Sequence, residues 1–140
     1  MDMGTRQYLC QMQRLDKQIQ NKLAEIYKLR TMAIGISVAT DKEKIQTSSD
    51  KDKIGNFVAK IIDMEHEVDN MIDKRATIVS QIEEMEDIES YDILANVYIL
   101  GKDLKVVAVE KKLSYRHFLR LYNKAVFEFE ENYKNVTECH

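Results

Sequence analysis

Residues 101–126 hold the side chains with the clearest potential for chemistry, because most of their charge is positive. Seven cations and two anions give this stretch a net charge of +5, whereas the whole chain carries −3. A cationic segment on an otherwise acidic chain is typical of a surface that binds a polyanion. Two short amphipathic segments meet at Leu113 and Ser114, which favours a helix-turn-helix and duplex DNA as its ligand.

The segment after Ser114 is the predicted reading helix, since base-contacting side chains cluster just after the N-cap of such a helix. Arg116 and Arg120 share a helix face, and arginine suits bidentate contact with guanine. Phe118 and Leu121 are predicted to point into the core. The base-contact candidates are Tyr115, Arg116, His117, Arg120, Asn123 and Lys124, and the phosphate-contact candidates are Lys102, Lys105, Lys111, Lys112 and Ser114.

A plainer interpretation of the same residues stays open. Arg116, Arg120 and Lys124 could form an ordinary solvated helix face, and His117 could pack beside the turn. Tyr115 and Tyr122 could equally be partly buried packing groups.

Composition indicates an all-α protein. The 140 residues include no proline and only four glycines, which leaves few of the tight turns that β-sandwiches and barrels need. Cys10 and Cys139 form no ligand pattern and are predicted to be free thiols in a reducing cytoplasm. No window approaches the roughly 18 apolar residues of a membrane span, so no membrane association is expected.

Two long segments carry apolar residues at alternating spacings of three and four, which is the coiled-coil pattern. A polar segment over about residues 38–53 separates them and is predicted to be a loop. The two helices should therefore fold back as a long antiparallel hairpin. The positions are Tyr8, Met12, Leu15, Ile19, Lys22, Ile26, Leu29, Ala33 and Ile36, then Ile54, Phe57, Ile61, Met64, Val68, Met71, Arg75, Ile78, Ile82 and Met85.

Pairing Ile36 with Ile54 makes facing residue numbers sum to about 90, which places Lys22 near Asp69 and Arg75 near Asp16. The second helix carries further apolar residues beside the heptad positions, which we call its seam. Its apolar stripe is therefore wider than contact with one partner helix requires. Either a second copy or the C-terminal part must cover it, and we favour a homodimer. The additional residues are Val58, Ile62, Ile72 and Val79.

The predicted organisation is a helical hairpin over residues 1–87, a helix-turn-helix module over 88–133, and a frayed tail over 134–140. In the module, Gly101 should end one helix and Asp103 should cap the next. Ser114 should cap the last helix, whose apolar residues repeat at spacings of three and four.

Two sets of residues carry a resemblance to a known family that covers most of the chain. The first set is residues 46–49 (QTSS) and 53–65 (KIGNFVAKIIDME). The second is Tyr98, Gly101-Lys102, Val107-Ala108, Ser114, Arg116-His117, Arg120-Leu121 and Lys124-Ala125. The chain resembles a family of small phage- and prophage-encoded proteins of poorly defined function. The C-terminal part of that family is similar to the fourth-region DNA-binding module of bacterial sigma factors.

The resemblance implies a sigma-factor-like regulator of phage or mobile-element transcription. The chain departs from the family at Leu104, where tryptophan is usual, at Lys111, where leucine is usual, and at Lys112, where glycine is usual. We expect the last helix to read duplex DNA, with RNA polymerase as a possible partner. The alternative is a coiled-coil interaction protein that does not bind DNA and contacts a sigma factor, RNA polymerase or another phage protein.

Enzymatic chemistry is not expected, because the sequence has neither a glycine-rich phosphate loop nor a nucleophile–base pattern. Asp63 and His66 share a helix face, but the first helix offers no matching ligand opposite them. We therefore predict no metal and no cofactor.

Overall fold

The computed structural model describes the backbone of residues 2–43 and 48–138, and the side chains of residues 4–35 and 52–133. These residues form five α-helices and one π-helical turn, which confirms the all-α prediction. The helices are α1 (Asp2–Glu43), α2 (Ser48–Glu83), α3 (Ile88–Leu94), α4 (Leu104–Glu110) and α5 (Tyr115–Glu138), and the π-helical turn is Ala95–Ile99. Across the described ranges, no helix is both long enough and apolar enough to serve as a membrane span.

The chain divides into two compact units, and the division differs from the predicted boundary after residue 87. The two-helix unit comprises residues 16–73, and the terminal unit comprises residues 1–15 together with 74–140. The start of α1 and the end of α2 thus belong with α3, α4 and α5. Periodicity in the sequence shows which residues belong to one helix. Which helices form a compact unit depends instead on which apolar faces pack against each other.

In the two-helix unit, α1 and α2 pack through the predicted apolar seam in antiparallel order. Its core consists of Ile26 and Leu29 from α1 with Ile61, Met64 and Val68 from α2. These residues are the seam positions of the heptad pattern, so the spacing correctly located the contact. Their burial is the main stabilisation that the two helices of this unit provide for each other.

Lys22 occupies a seam position in α1 and binds a carboxylate of α2. Its Nζ lies 2.7 Å from Oε2 of Glu67, whereas the predicted register placed it beside Asp69. Glu67 immediately precedes the seam residue Val68 and so flanks the contact, while Asp69 is turned further outward. The predicted pair of Arg75 and Asp16 stays a prediction.

In the terminal unit, the first turns of α1 contribute to the same core as α5. Leu9 and Met12 are fully buried, and the ring of Tyr8 lies 6.1 Å from that of Phe129 between centroids. The N-terminal turns therefore do not form an independent coiled-coil arm. The other buried apolar residues here are Leu15, Ile78, Ile82, Met85, Ile93, Leu94, Val97, Tyr98, Val107, Ala108, Phe118, Tyr122, Ala125, Val126 and Phe129.

Local capping explains where α3 begins. Asp87 is its N-cap, and Oδ2 accepts hydrogen bonds from the hydroxyl of Ser90 at 2.8 Å and from its N–H at 3.0 Å. These two bonds hold the pKa of Asp87 below its usual value of 3.8. Because the folded pKa is lowered, the cap stabilises the protein above that usual value and loses its effect as pH falls through the lowered one.

The helical run 88–99 ends as the sequence predicts. Gly101 has φ +71°, a left-handed conformation that glycine adopts without steric cost, and so it terminates the π-helical turn. Arg75 of α2 donates to the carbonyl of Ile99 at 3.0 Å and satisfies a terminal acceptor. Asp103 occupies the N-cap of α4, although its side chain makes no capping hydrogen bond.

Two predicted boundaries differ from the structure. The loop expected over about residues 38–53 is largely helical, because α1 continues to Glu43 and α2 begins at Ser48. Residues 44–47 lie outside the described residues. The tail expected to fray over 134–140 is helical to Glu138, and residues 139–140 also lie outside the described range. Neither segment contains proline or glycine, and polar composition without a helix breaker does not by itself end a helix.

Candidate nucleic-acid interface

The connection between α4 and α5 is a tight turn and not a continuous helix. The N–H of Lys112 donates to the carbonyl of Val109, and the N–H of Leu113 donates to that of Ala108, both at 3.0 Å. This hydrogen-bond pair is the Schellman motif, which requires a left-handed residue just past the helix. Lys112 supplies this residue with φ +59°.

A left-handed lysine is strained, so Lys112→Gly should raise the free energy of unfolding by on the order of 0.5–1 kcal/mol. Urea denaturation measures the change. Lys105→Gly is the matched control, because it places glycine inside α4 and should lower stability by about 1 kcal/mol. Equal destabilisation by both substitutions would contradict the left-handed turn.

Ser114 opens α5 as predicted. Its Oγ accepts a hydrogen bond from the N–H of His117 at 3.2 Å, which is the N-cap interaction. The cap fixes the direction in which the first turn of α5 leaves the α4 connection. Since the Ser114 hydroxyl is engaged in capping, its contribution to a phosphate site would come through the neighbouring backbone N–H groups.

Helix α5 has one buried and one exposed face. Phe118, Tyr122 and Phe129 are buried, as are Ala125 and Val126. Leu121, predicted to be a core residue, is only partly buried. All six predicted base-contact residues are exposed, and they are Tyr115, Arg116, His117, Arg120, Asn123 and Lys124.

Arg116, Arg120 and Lys124 follow one another at spacings of four, so they form a row along the outer face of α5. Among the described side chains, none of the three makes an ion pair or a hydrogen bond with a carboxylate. Their charges are therefore available to an external anion. Lys124 also contributes to lowering the pKa of Asp87, after the two hydrogen bonds from Ser90, so one carboxylate lies within its electrostatic range.

Two of the predicted phosphate contacts form ion pairs with carboxylates of the chain itself. Lys111 has a side chain only 17% exposed, and its Nζ contacts Oδ2 of Asp92 and Oε1 of Glu89 at 2.5 and 3.1 Å. Burial lowers the pKa of Lys111, but the hydrogen bonds to Asp92 and Glu89 outweigh it and raise that pKa. Lys102 donates to Glu110 and to Asn96, each at 3.0 Å. Both lysines thus hold α3, the π-helical turn and α4 together.

The carboxylate partners of Lys111 explain how a lysine can occupy this largely buried position. A leucine at this position would fill the space with apolar atoms. A lysine can bury its aliphatic stem at the same place, provided that its ammonium group finds partners. Asp92 and Glu89 of α3 are those partners.

The remaining phosphate candidates on α4 and the turn are accessible. Lys105 and Lys112 are exposed, and Nζ of Lys105 lies 5.9 Å from the ring centroid of Tyr115. This cation–π distance places a positive charge beside the first residue of α5. The accessible cations of this interface are therefore Lys105, Lys112, Arg116, Arg120 and Lys124, which we call the basic face.

Sequence reasoning missed Arg6 as a neighbour of the basic face. Its guanidinium lies 5.6 Å from the ring centroid of Tyr122 and donates through Nη2 to Oδ1 of Asn123. Arg6 thereby orients a predicted base-contact side chain and adds a cation beside it. A separation of 117 residues and the absence of a local pattern around Arg6 left no sequence signal for this contact.

A buried tyrosine pair supports α5 from within the core. The hydroxyls of Tyr98 and Tyr122 share a hydrogen bond, and their ring centroids lie 6.4 Å apart. Burial, followed by the hydrogen bond with Tyr122, raises the pKa of Tyr98. The pair gives two phenolic groups a partner in an apolar environment and fixes the rotation of α5 against the π-helical turn.

Comparison with known proteins adds no relative to this picture. Neither the family models, nor the curated proteins, nor the solved structures give a match to this chain.

Proposed function

We propose that this protein is a DNA-binding transcriptional regulator of phage or mobile-element type that reads duplex DNA with α5. The observation that carries the proposal is the row Arg116, Arg120 and Lys124. It projects from a helix that is capped by Ser114 directly after a tight turn. The resemblance to sigma-factor-like phage proteins supports the same function.

The basic face offers the two kinds of contact that DNA recognition needs. Arg116 and Arg120 can pair bidentately with guanine, and Asn123, oriented by Arg6, can pair with adenine. Lys105 and Lys112 lie on α4 and on the turn, where phosphate contacts would set the orientation of α5. We propose no phosphate role for Lys102 and Lys111, because carboxylates of the same chain already pair with them.

Affinity for duplex DNA, measured by fluorescence anisotropy at several salt concentrations, tests this function. We expect log affinity to fall linearly with log salt, as displaced counterions require. Arg116→Ala should reduce the binding free energy for a selected site by about 1–3 kcal/mol and reduce the preference for that site over other sequences. Lys105→Ala should lower the affinity for all DNA sequences by the same factor. Lys28→Ala, an exposed cation of the two-helix unit, is the control and should leave affinity unchanged.

The first requirement of this test is a preferred site, which selection of bound fragments from random duplex DNA would provide. Equal small losses from Arg116→Ala and Lys105→Ala on every sequence would contradict base readout. Unchanged affinity in both variants would contradict the basic face as the interface.

The second candidate function is an interaction protein that contacts a sigma factor, RNA polymerase or another phage protein without binding DNA. A groove of about 540 Å³ in the terminal unit favours it. The residues that line this groove include two with carboxylates, Glu84 and Glu86, and two with aromatic rings, Phe129 and Tyr133. A folded protein that fails to bind any DNA, yet binds purified RNA polymerase, would support this alternative.

The proposed function includes a homodimer formed through the helical hairpin, working in the cytoplasm. In helix-turn-helix regulators that bind as two-fold symmetric dimers, each copy reads one half of the site.

A further inference from the structure

The two-helix unit has one side that is apolar well beyond its seam. Six large apolar residues there are between 45% and 75% exposed, although they lie outside the core formed by α1 and α2. We call this side the apolar side. Its exposed residues are Leu23, Tyr27 and Ile34 of α1, and Val58, Ile62 and Ile72 of α2.

These residues share one side of the unit for two reasons. Leu23, Tyr27, Arg30 and Ile34 follow spacings of three and four, and so do Val58, Ile62, Glu65, Asp69 and Ile72. Arg30 and Glu65 form an ion pair that joins the two rows across α1 and α2. A groove of about 390 Å³, lined by Ile34, Val58 and Ile62 among others, lies at the same place.

The opposite side of the same two helices is polar. Most of its exposed residues are amides and charged groups, namely Asn21, Lys28, Asn56, Lys60, Asp63 and Asn70, although Met32, 45% exposed, follows Asn21 and Lys28 on the same face of α1. In a hairpin with solvent on every side, we would expect polar residues on both outer sides and no separation into an apolar and a polar side. Together the six exposed apolar side chains present on the order of 500 Å² of surface, divided between the two ends of this side.

Along the helix axis, the apolar side has apolar ends and a charged middle. Leu23 and Ile72 lie at the end where the chain enters and leaves the unit. The next levels are Tyr27 with Asp69, then Arg30 with Glu65. Ile34 lies at the far end with Val58 and Ile62, about 16 Å from Leu23 at 1.5 Å per residue.

We propose that a second copy of this chain covers the apolar side, with its two-fold axis parallel to the helices. This proposal deepens the homodimer of the proposed function and identifies its interface. In this arrangement α1 of each copy lies over α2 of the other at the same level. Leu23 meets Ile72 of the second copy, and Ile34 meets Val58 and Ile62. Four helices then pack with every neighbour antiparallel, as in an up-and-down bundle.

Charge complementarity selects this two-fold axis. With the axis parallel to the helices, Arg30 faces Glu65 of the second copy, and the hydroxyl of Tyr27 faces its Asp69. With the axis perpendicular to the helices, Glu65 and Asp69 of the two copies would face each other, and like charges repel. The apolar side has one cation and two anions, so it lacks the strong charge that would select a basic or acidic foreign partner.

The size of the surface also fits a second copy. A stable interface buries about 800 Å² on each partner, and the apolar side with its polar border supplies a patch of that order. In an isologous interface both copies use the same surface. One self-complementary side is therefore sufficient to form a closed dimer.

Sedimentation equilibrium of the full chain, without DNA, tests the proposal. We expect a dimer whose dissociation constant rises at least tenfold in Ile62→Glu, because a carboxylate would enter the apolar interface. Asn70→Glu on the polar side is the matched control and should leave the dissociation constant unchanged. Circular dichroism establishes that both variants are helical. A wild-type monomer at every concentration, or equal shifts in the two variants, would overturn the proposal.

Cross-linking between two single-cysteine chains tests the axis in a background of Cys10→Ser and Cys139→Ser. A mixture of Leu23→Cys and Ile72→Cys chains should form a covalent heterodimer with a short thiol-reactive cross-linker. A mixture of Leu23→Cys and Ile34→Cys chains should not, and a product from it instead of from the first mixture would overturn the parallel axis. Since neither measurement contains DNA, a monomer that binds DNA overturns the dimer alone, and a dimer that binds no DNA overturns the proposed function alone.

Discussion

Phe118→Ala is expected to lower the free energy of unfolding by about 3–5 kcal/mol, the usual cost of removing a buried phenylalanine ring. Phe118 is fully buried, and its ring is stacked 6.3 Å from that of Tyr122. It lies one turn into α5, between the exposed Arg116 and Arg120. Its loss would leave a cavity beneath the first turns of α5. Urea denaturation followed by circular dichroism measures the change.

Phe127→Ala is the matched control for this substitution. Phe127 belongs to the same helix but is 57% exposed, so its removal should change stability by less than about 1 kcal/mol. If the two variants lost equal stability, α5 would not be oriented with Phe118 inward, and the outward direction of Arg116 and Arg120 would be contradicted as well.

Leu9→Ala is expected to lower the free energy of unfolding by about 2–5 kcal/mol, although Leu9 lies more than 90 residues before α4 and α5. The reason is that Leu9 is fully buried in the terminal unit, where α1 packs with the C-terminal helices. Thermal or urea denaturation should report this loss together with unfolding of α5. A helical arm independent of the C-terminal helices would unfold without affecting α5.

Gln11→Ala provides the control for Leu9→Ala, because Gln11 is an exposed residue two positions further along the same helix. Its replacement should change stability by no more than about 0.5 kcal/mol. A negligible effect of Leu9→Ala would contradict the terminal unit and would favour the domain boundary after residue 87 that the sequence predicted.

The extent of agreement between sequence and structure depends on how local each signal is. The all-α class, the end of a helical run at Gly101 and the cap at Ser114 follow from neighbouring residues, and the structure has all three. Spacing also located Phe118 inward and Arg116 outward, because a helix of 3.6 residues per turn leaves little choice once one face is apolar.

Polar composition does not by itself mark a loop, and for this reason two predicted helix boundaries differ from the structure. Residues 40–43, 48–53 and 134–138 are mostly polar or charged, but a polar segment without proline or glycine can remain helical. The exposed outer faces of α1 and α2 are equally polar in places, so composition alone does not distinguish an exposed helix from a loop.

Among the candidate site residues, the sequence by itself determined the row of Arg116, Arg120 and Lys124 on α5, the inward Phe118 and the capped turn that precedes them. Only the tertiary structure decided which cations stay accessible. Lys111 looked like Lys112 in the sequence, yet Asp92 and Glu89 bind one of them, while a left-handed turn exposes the other. The position of Arg6 beside Asn123 was likewise decided only by the tertiary structure. Periodicity along one helix gives the direction of a side chain, whereas its partner depends on contacts between residues that are distant in the chain.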